Sequence, residues 1–480
     1  MSQTQTILGP FGRIEGDLEI RLEPRENQVG AAFVTAPMFR GFETMLEGRA
    51  PLDALVIAPR VCGICSVAQS LAARSALAGL TDLRLPRNAE RVFNLMQAIE
   101  NTSDLLSHFY LYLAPELQRQ GYKDRKWFAQ AKRFALGTEP YKKAVAARNG
   151  LLGMLAPLAG KWPHSLSMLP GGLTKTIGAS ERAGLLDHLG EFEAFVSAQV
   201  FGGGLQAFIN LKNTAQLADW ALEYQHTDLG LFIQIGLEEG WERLGLIKTP
   251  LLSYGAYFEA GFPLFAGGVW KNQVEAFDWN QITEDLASSW LDGPFEPLSP
   301  AQGVTRLDAE REGAYSYAKA PRYQGQVVSV GPWARQVIDG QPLARALNQT
   351  WGSGVLSRVL ARWIELGRLL PQMRQWLEQI EPDQPFYHSG NLMIKDGQSF
   401  GLIEAARGSL GHFLEIEGGR ITRYQILAPT SWNFSPRDQT GQPGPAEQAL
   451  VGLPLFKGKP GPELGLVIRS FDPCMQCQVH

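Results

Sequence analysis

Several kinds of segment are missing from this sequence. The N-terminus, MSQTQTILGPFGRIEGDLEI, has no basic stretch followed by an apolar one, and nowhere do about 18 uncharged apolar residues run together. Neither an export signal nor a membrane-spanning helix is expected, and the cytoplasm is the expected location unless a partner with its own signal carries the chain elsewhere. Charge of one sign is not in excess. With 44 Lys and Arg against 48 Asp and Glu the formal net charge is -4, which gives no electrostatic reason to expect nucleic acid or an anionic membrane surface as a partner. Low-complexity linkers and internal repeats are absent too. Cysteine is scarce: four in 480 residues exclude a disulfide scaffold.

What is present is ample apolar material. A 45 % hydrophobic content in a chain of this length supports a large buried core. Residues 7 to 36 alternate polar and apolar positions around turns, predicting a small antiparallel sheet. From Ser66 onward SVAQSLAARSALAGL has helical period, and RNAERVFNLMQAIENTSDLLSHFYLYLAP places Val92, Leu95 and Ile99 at three- and four-residue steps. Further helices are expected at 180–200, 205–223 and 355–380. The Gly- and Pro-rich stretch from about 250 to 335 reads as irregular structure with short strands, and FGLIEAARGSLGHFLEIEGGRITRYQILAP as hairpins. The expected fold class is α+β and predominantly helical, with a long-helix bundle core, a small N-terminal antiparallel sheet and peripheral β regions. It forms one unit over 1–480, with a β region at about 5–40 and a helical core with β insertions at about 50–480.

All four cysteines fall in two C-x-x-C pairs, Cys62/Cys65 in RVCGIC and Cys474/Cys477 in DPCMQC, about 400 residues apart. Thiolates bind soft or borderline metals, and two converging pairs make a four-sulfur site suited to zinc, iron or nickel. Each pair sits where a helix can begin, Asp472-Pro473 resembling an N-cap followed by proline at the first helical position. Helix N-termini favour the thiolate. A structural zinc site is one reading. Zinc ribbons keep their pairs roughly 15 to 20 residues apart and substitute for a missing core, whereas this chain needs no substitute, so a site for chemistry is the other.

The two cysteine motifs resemble the signatures of nickel-iron hydrogenase large subunits, and GRIEGD at 12–17, FRGFE at 39–43, DLLSHFY at 104–110, EAARGSLGH at 404–412 and YQILAPTSWNFSPRD at 424–438 resemble that family's motifs in the same order. The resemblance spans essentially the whole chain. It implies that Cys62, Cys65, Cys474 and Cys477 ligate nickel, with Cys65 and Cys477 also bridging to an iron that carries carbon monoxide and cyanide. Free hydrogen is a very weak acid, and an electrophilic metal pair polarises it toward release of a proton. The receiving base would be the Cys474 thiolate and the relay Glu15, which without the resemblance reads as a solvated strand-end residue. Arg407 matches an arginine held over the metals, where it donates to cyanide, Thr430 a hydroxyl donor to the other cyanide, and Asp104 and Asp472 the carboxylates that position the arginine. Glu43, His480 and the backbone carbonyl of Ile426 match a structural magnesium site. His108 and His164 sit in matching segments but read as satisfied core histidines.

Three features depart from or refine the pattern. Gln69 stands where most catalytic uptake enzymes have histidine, as in the regulatory, hydrogen-sensing subgroup, whose members report hydrogen to a histidine kinase. Ala406 stands where many members have proline. The chain ends at His480, where precursors of catalytic members carry a further peptide, a feature sensors share with processed enzymes. With four thiolates committed to nickel, none remains to hold an iron-sulfur cluster, so an iron-sulfur small subunit is the implied partner. The expected function is hydrogen splitting in a sensor, the alternative a mature uptake hydrogenase feeding a respiratory chain.

Overall fold

A computed structural model describes residues 6–388 and 390–480. Residue 5, where the expected N-terminal β region begins, lies outside them. The chain opens with an antiparallel sheet, β1 (Thr6–Leu8), β2 (Glu19–Arg25) and β3 (Gln28–Thr35), in the order β1-β2-β3. Its inward side chains, Ile20, Leu22, Val29, Ala32 and Val34, are buried, which is the alternation expected of a sheet with one covered face.

Among the helices that follow, three position the site: α1 (Ser66–Ala78), α2 (Arg87–Ser107) and α3 (Val355–Gln379). α2 and α3 pack side by side through the middle of the molecule. From Val92 to Ser107 every residue of α2 is buried, so beyond its first turn this helix has no solvent face. Its polar residues Asn94, Gln97, Asn101 and Asp104 recur at helical spacing along one stripe. Each finds a partner: Asn94 donates to Phe258 O (2.9 Å), Gln97 and Asn101 both donate to Glu404 O (2.6 and 3.2 Å), and Asp104 meets Arg407. The stripe is dry, and Gln97, Asn101 and Asp104 in it support one turn.

That turn belongs to a second antiparallel sheet of β4 (Gly397–Ala405), β5 (Gly408–Glu417) and β6 (Arg420–Leu427), ordered β4-β5-β6. The central β5 is buried along almost its whole length, with α1 packed across one face. A Cβ at Gly401 would lie 2.0 Å from Ala72 O, so α1 rests on β4 at backbone contact. The stretch from 250 to 335 forms short two- and three-stranded pieces, as its composition predicts. The chain finishes with α4 (Glu463–Phe471) and the short helix Met475–Gln478. No helix among the described residues is long and apolar enough to cross a membrane.

Candidate metal centre

Both C-x-x-C pairs lie at breaks between elements, and the fold joins them. Cys62 follows the short helix Ala58–Val61, Cys65 is the residue immediately before α1, and Cys474 occupies the same place before Met475–Gln478. The sulfur atoms approach at 3.5 Å for Cys62–Cys474, 3.1 Å for Cys65–Cys477 and 3.0 Å for Cys474–Cys477. All four lie within 4.8 Å of one another, are buried, and form no disulfide. Four sulfurs around one ion at metal–sulfur bonds of about 2.3 Å stand roughly 3.7 Å apart, so the quartet fits a tetrathiolate site. Hydrogen bonds from Cys474, Cys477 and Cys65 hold Cys62 well below the usual thiol range, while the same sharing pushes Cys65 and Cys477 up.

Asp472 departs from the expected N-cap. It terminates α4 in the left-handed conformation (φ 61°, ψ 66°), and Cys474 is the residue that caps the next helix. The reversal turns the Asp472 carboxylate back toward Arg407, a conformation Asp tolerates better than most residues.

Arg407 sits in the two-residue turn between β4 and β5, where Ala405 pairs with Gly408. Its Nε donates to Asp472 O (3.0 Å), and Nη2 donates to Asp104 Oδ1 and Asp472 Oδ1 (both 3.1 Å). Nη1 pairs with Asp104 Oδ2 at 2.9 Å. Burial pushes Asp104 up to about 7 and also raises Asp472, although Arg407 opposes both shifts. The turn is itself clamped by Arg335, fully buried, which donates to Ala405 O (2.9 Å) and Ala406 O (3.1 Å) while pairing with Glu365 and Glu404 (both 2.7 Å). Ala406, where the family resemblance implies proline, is thus held through its carbonyl.

Thr430 Oγ1 accepts the Cys474 N–H at 3.0 Å, which leaves its own hydrogen available to donate. Glu15 lies alongside: its carbonyl accepts the Met475 N–H at 2.7 Å. Next to it, Gly16 has φ 85° and a Cβ there would lie 2.9 Å from Gln476 N, so only glycine lets this segment dock on the second cysteine loop. Burial raises the Glu15 carboxyl, and the neighbouring Cys474 raises it further. Arg40 ties the two loops together, with Nη1 donating to Val61 O (2.5 Å) and Gln476 O (3.3 Å).

Glu43 and His480 also meet: His480 Nε2 is 3.1 Å from Glu43 Oε1, and His480 Nδ1 donates to Cys477 O at 2.7 Å. Ile426 touches Glu43 through its N–H (2.7 Å). Three residues that sequence reasoning missed complete this cluster. Lys319 Nζ lies 3.1 Å from Glu43 Oε2 and 2.5 Å from Gln425 Oε1, and Thr305 donates to Glu43. Burial pushes Glu43 up, but Lys319, His480 and Thr305 outweigh it and hold the carboxyl at about 2. Carboxylate and amide oxygens are the donors a hard cation takes.

Gln69 has a defined orientation. Its Oε1 is 2.7 Å from His412 Nε2, and His412 Nδ1 is 2.7 Å from Tyr424 Oη. Burial pushes His412 down to about 3, so the ring is neutral, accepts from the tyrosine and donates to Gln69. Gln69 Nε2 then points at Cys477 Sγ, 3.9 Å away. His108 donates to Arg469 O (2.7 Å), and His164 is 3.1 Å from Pro59 O through Nδ1; neither belongs to the sulfur cluster. Also missed were Glu100, Arg358 and Arg362, polar residues on buried helix turns whose only sequence signal is helical spacing within α2 and α3.

Comparison with known proteins agrees with this geometry. A profile of the family described as nickel-dependent hydrogenase matches residues 40–116 and 118–480. The chain is 28 % identical to the periplasmic [NiFeSe] hydrogenase large subunit of Desulfomicrobium baculatum, over 98 % of this chain and 94 % of the relative. It is 27 % identical to the uptake hydrogenase large subunit of Rhizobium leguminosarum bv. viciae, over 100 % and 95 %. Among solved structures, the Ni-Fe-Se hydrogenase of D. vulgaris Hildenborough in the reduced state superposes with a TM-score of 0.83 at 26 % identity, covering 99 % of this chain and 100 % of that one. Four converging thiols in a fold matched end to end by such proteins make this chain a member of the nickel-dependent hydrogenase family, as a large subunit.

Proposed function

We propose that this chain holds a nickel–iron centre on Cys62, Cys65, Cys474 and Cys477 and splits molecular hydrogen heterolytically there. The observation that carries the reading is the convergence of four buried, unbridged thiols beside an arginine held by two buried carboxylates. When bound, a nickel–iron pair would be held by Cys62, Cys65, Cys474 and Cys477 and would supply the electrophile that makes hydrogen acidic, with carbon monoxide and cyanide as the expected ligands of its iron and Cys65 and Cys477 as the cysteines expected to reach both metals.

The chain's own residues do the rest. The Cys474 thiolate takes the proton, and Glu15, docked on the same loop, receives it; a carboxyl raised by burial is the better match for a thiol donor. Arg407 would offset negative charge at the centre and be placed to donate to one cyanide, Thr430 to the other, and Asp104 with Asp472 keeps the guanidinium from swinging away. Glu43, His480 and the Ile426 carbonyl would hold a structural magnesium that pins the C-terminus, next to the Lys319 that pairs with Glu43. The electrons leave through an iron-sulfur small subunit, because no cysteine of this chain is left over.

Gln69 supports a hydrogen sensor that signals to a histidine kinase in the cytoplasm. An amide locked by His412 and Tyr424 donates to Cys477 without carrying charge or a mobile proton, which suits reporting more than turnover. The uptake reading is favoured instead by the relative so named. Membership of a nickel-dependent family counts against structural zinc.

Metal analysis of the purified complex, with infrared spectroscopy of metal-bound carbon monoxide and cyanide, tests the centre: nickel, iron and the bands are expected, and zinc without bands sinks the reading. Hydrogen-dependent autophosphorylation of a histidine kinase by the complex is expected for the sensor. Rapid hydrogen-driven quinone reduction with no effect on a kinase would establish the uptake enzyme.

A further inference from the structure

We propose that Glu100 is a positioning residue for the metal centre: it supplies, from α2, the N-terminal cap that α1 lacks because the residue in the capping place is the ligand Cys65. The first N–H groups of a helix have no partner within it and are ordinarily met by an oxygen of the preceding side chain. Cys65 occupies that place with φ -122° and ψ 30° and makes no side-chain cap. Its sulfur is turned away, 3.1 Å from Cys477 Sγ. Turned that way, the sulfur makes no hydrogen bond to the N–H groups of the first turn.

Glu100 fills the gap from 35 residues along the chain. Its Oε2 accepts the Val67 N–H at 2.8 Å and its Oε1 the Ala68 N–H at 2.9 Å. The indole N–H of Trp162 donates to Oε2 at 2.9 Å, and Ser66 Oγ lies 3.5 Å from the same oxygen. Each of these groups facing the carboxylate is a donor. At 2 % exposure, with no lysine or arginine among the described residues paired to it, burial and the nearby Asp104 push Glu100 up to about 7 while the Val67, Trp162 and Ala68 donors favour the carboxylate, whose counter-charge is the positive end of α1. The same turn is braced from outside, His164 N donating to Ser66 Oγ at 3.2 Å. The position of Cys65 relative to Cys477 therefore depends on a carboxylate that touches neither sulfur.

The proposal rests on nickel ligation by the four cysteines and predicts an order that depends on charge and not on size. Glu100→Asp keeps the charge but is one methylene short; Glu100→Gln keeps the size but sets an NH2 group against donors. In the complex with the small subunit, nickel per chain is expected to fall in the order Glu, Asp, Gln. Amide hydrogen exchange of the peptide covering 62–71 in Glu100→Gln is expected to quicken about tenfold, the scale of a lost cap with buried donors, while the 87–99 segment of α2 keeps its protection. An order of Glu, Gln, Asp would make Glu100 a space-filling residue and overturn the proposal. Unchanged nickel and exchange, or uniform loss of protection across both segments, would overturn it too. Failure of the underlying reading looks different, because the wild-type complex would then contain no nickel.

Discussion

The two C-x-x-C loops are held by opposite charges. The first precedes a helix, so its unmet groups are N–H donors, and a carboxylate, Glu100, meets Val67 and Ala68. The second follows a helix, where carbonyls lack a next turn, and four in a row accept from imidazole or guanidinium donors, Arg469 O also taking the Asp472 N–H at 3.0 Å. Arg469 O takes His108 (2.7 Å), Ser470 O and Phe471 O take Arg362 (2.9 and 3.1 Å), and Asp472 O takes Arg407 (3.0 Å). The helix dipole is answered by the right sign at each end, Glu100 at the first and Arg362 with Arg407 at the second, while burial keeps His108 a neutral donor. In both loops the answer comes from distant elements, because the local residues are committed to sulfur ligation or to the arginine.

If the two loops form one site, breaking either should have the same and largest effect. Cys65→Ser and Cys474→Ser are each expected to abolish nickel retention, measured as metal per purified chain; retention in one variant would show that the loops work separately. Next in size, Glu15→Gln is expected to keep nickel but stop isotope exchange between hydrogen and water, since the docked carbonyl remains while the proton acceptor is gone. Normal exchange would remove Glu15 from the proton path.

Smaller effects separate the cationic supports of the second loop. Arg407→Lys replaces a fork serving Asp104, Asp472 and the Asp472 carbonyl by a point charge, and exchange is expected to fall about 100-fold with nickel retained. Arg362→Leu leaves Ser470 O and Phe471 O unmet in the core. Thermal unfolding should show a loss of about 1–3 kcal/mol, with exchange activity reduced less than in Arg407→Lys. A larger activity loss at Arg362 than at Arg407 would place the decisive support at the helix end and not at the carboxylate fork.

Much of the fold was legible because periodicity is local. The alternation of 7–36 and the helical steps of 87–107 and 355–379 were each met by an element of the expected kind. The supports of the site were not. Asn94, Gln97, Asn101 and Asp104 have the spacing of a solvated helix face, and nothing in sequence says that α2 is buried all round. Asp472 before Pro473 has the composition of an N-cap, yet α4 ends there in a left-handed turn, because pairing with Arg407 and the fit of the loop override a local preference. Lys319 carries no motif, the motif around Gln425 does not show its role, and only folding brings Lys319 to Glu43 and Gln425.

By itself the sequence determined the elements, the ligand chemistry and, through its motifs, the family, because residue type and spacing set which groups a metal finds and which segments curl or extend. The tertiary structure alone decided that cysteines about 400 residues apart share one site, which polar stripe is dry, and which remote charge answers each unmet backbone group. Those outcomes depend on burial, and burial is a property of the whole packed chain.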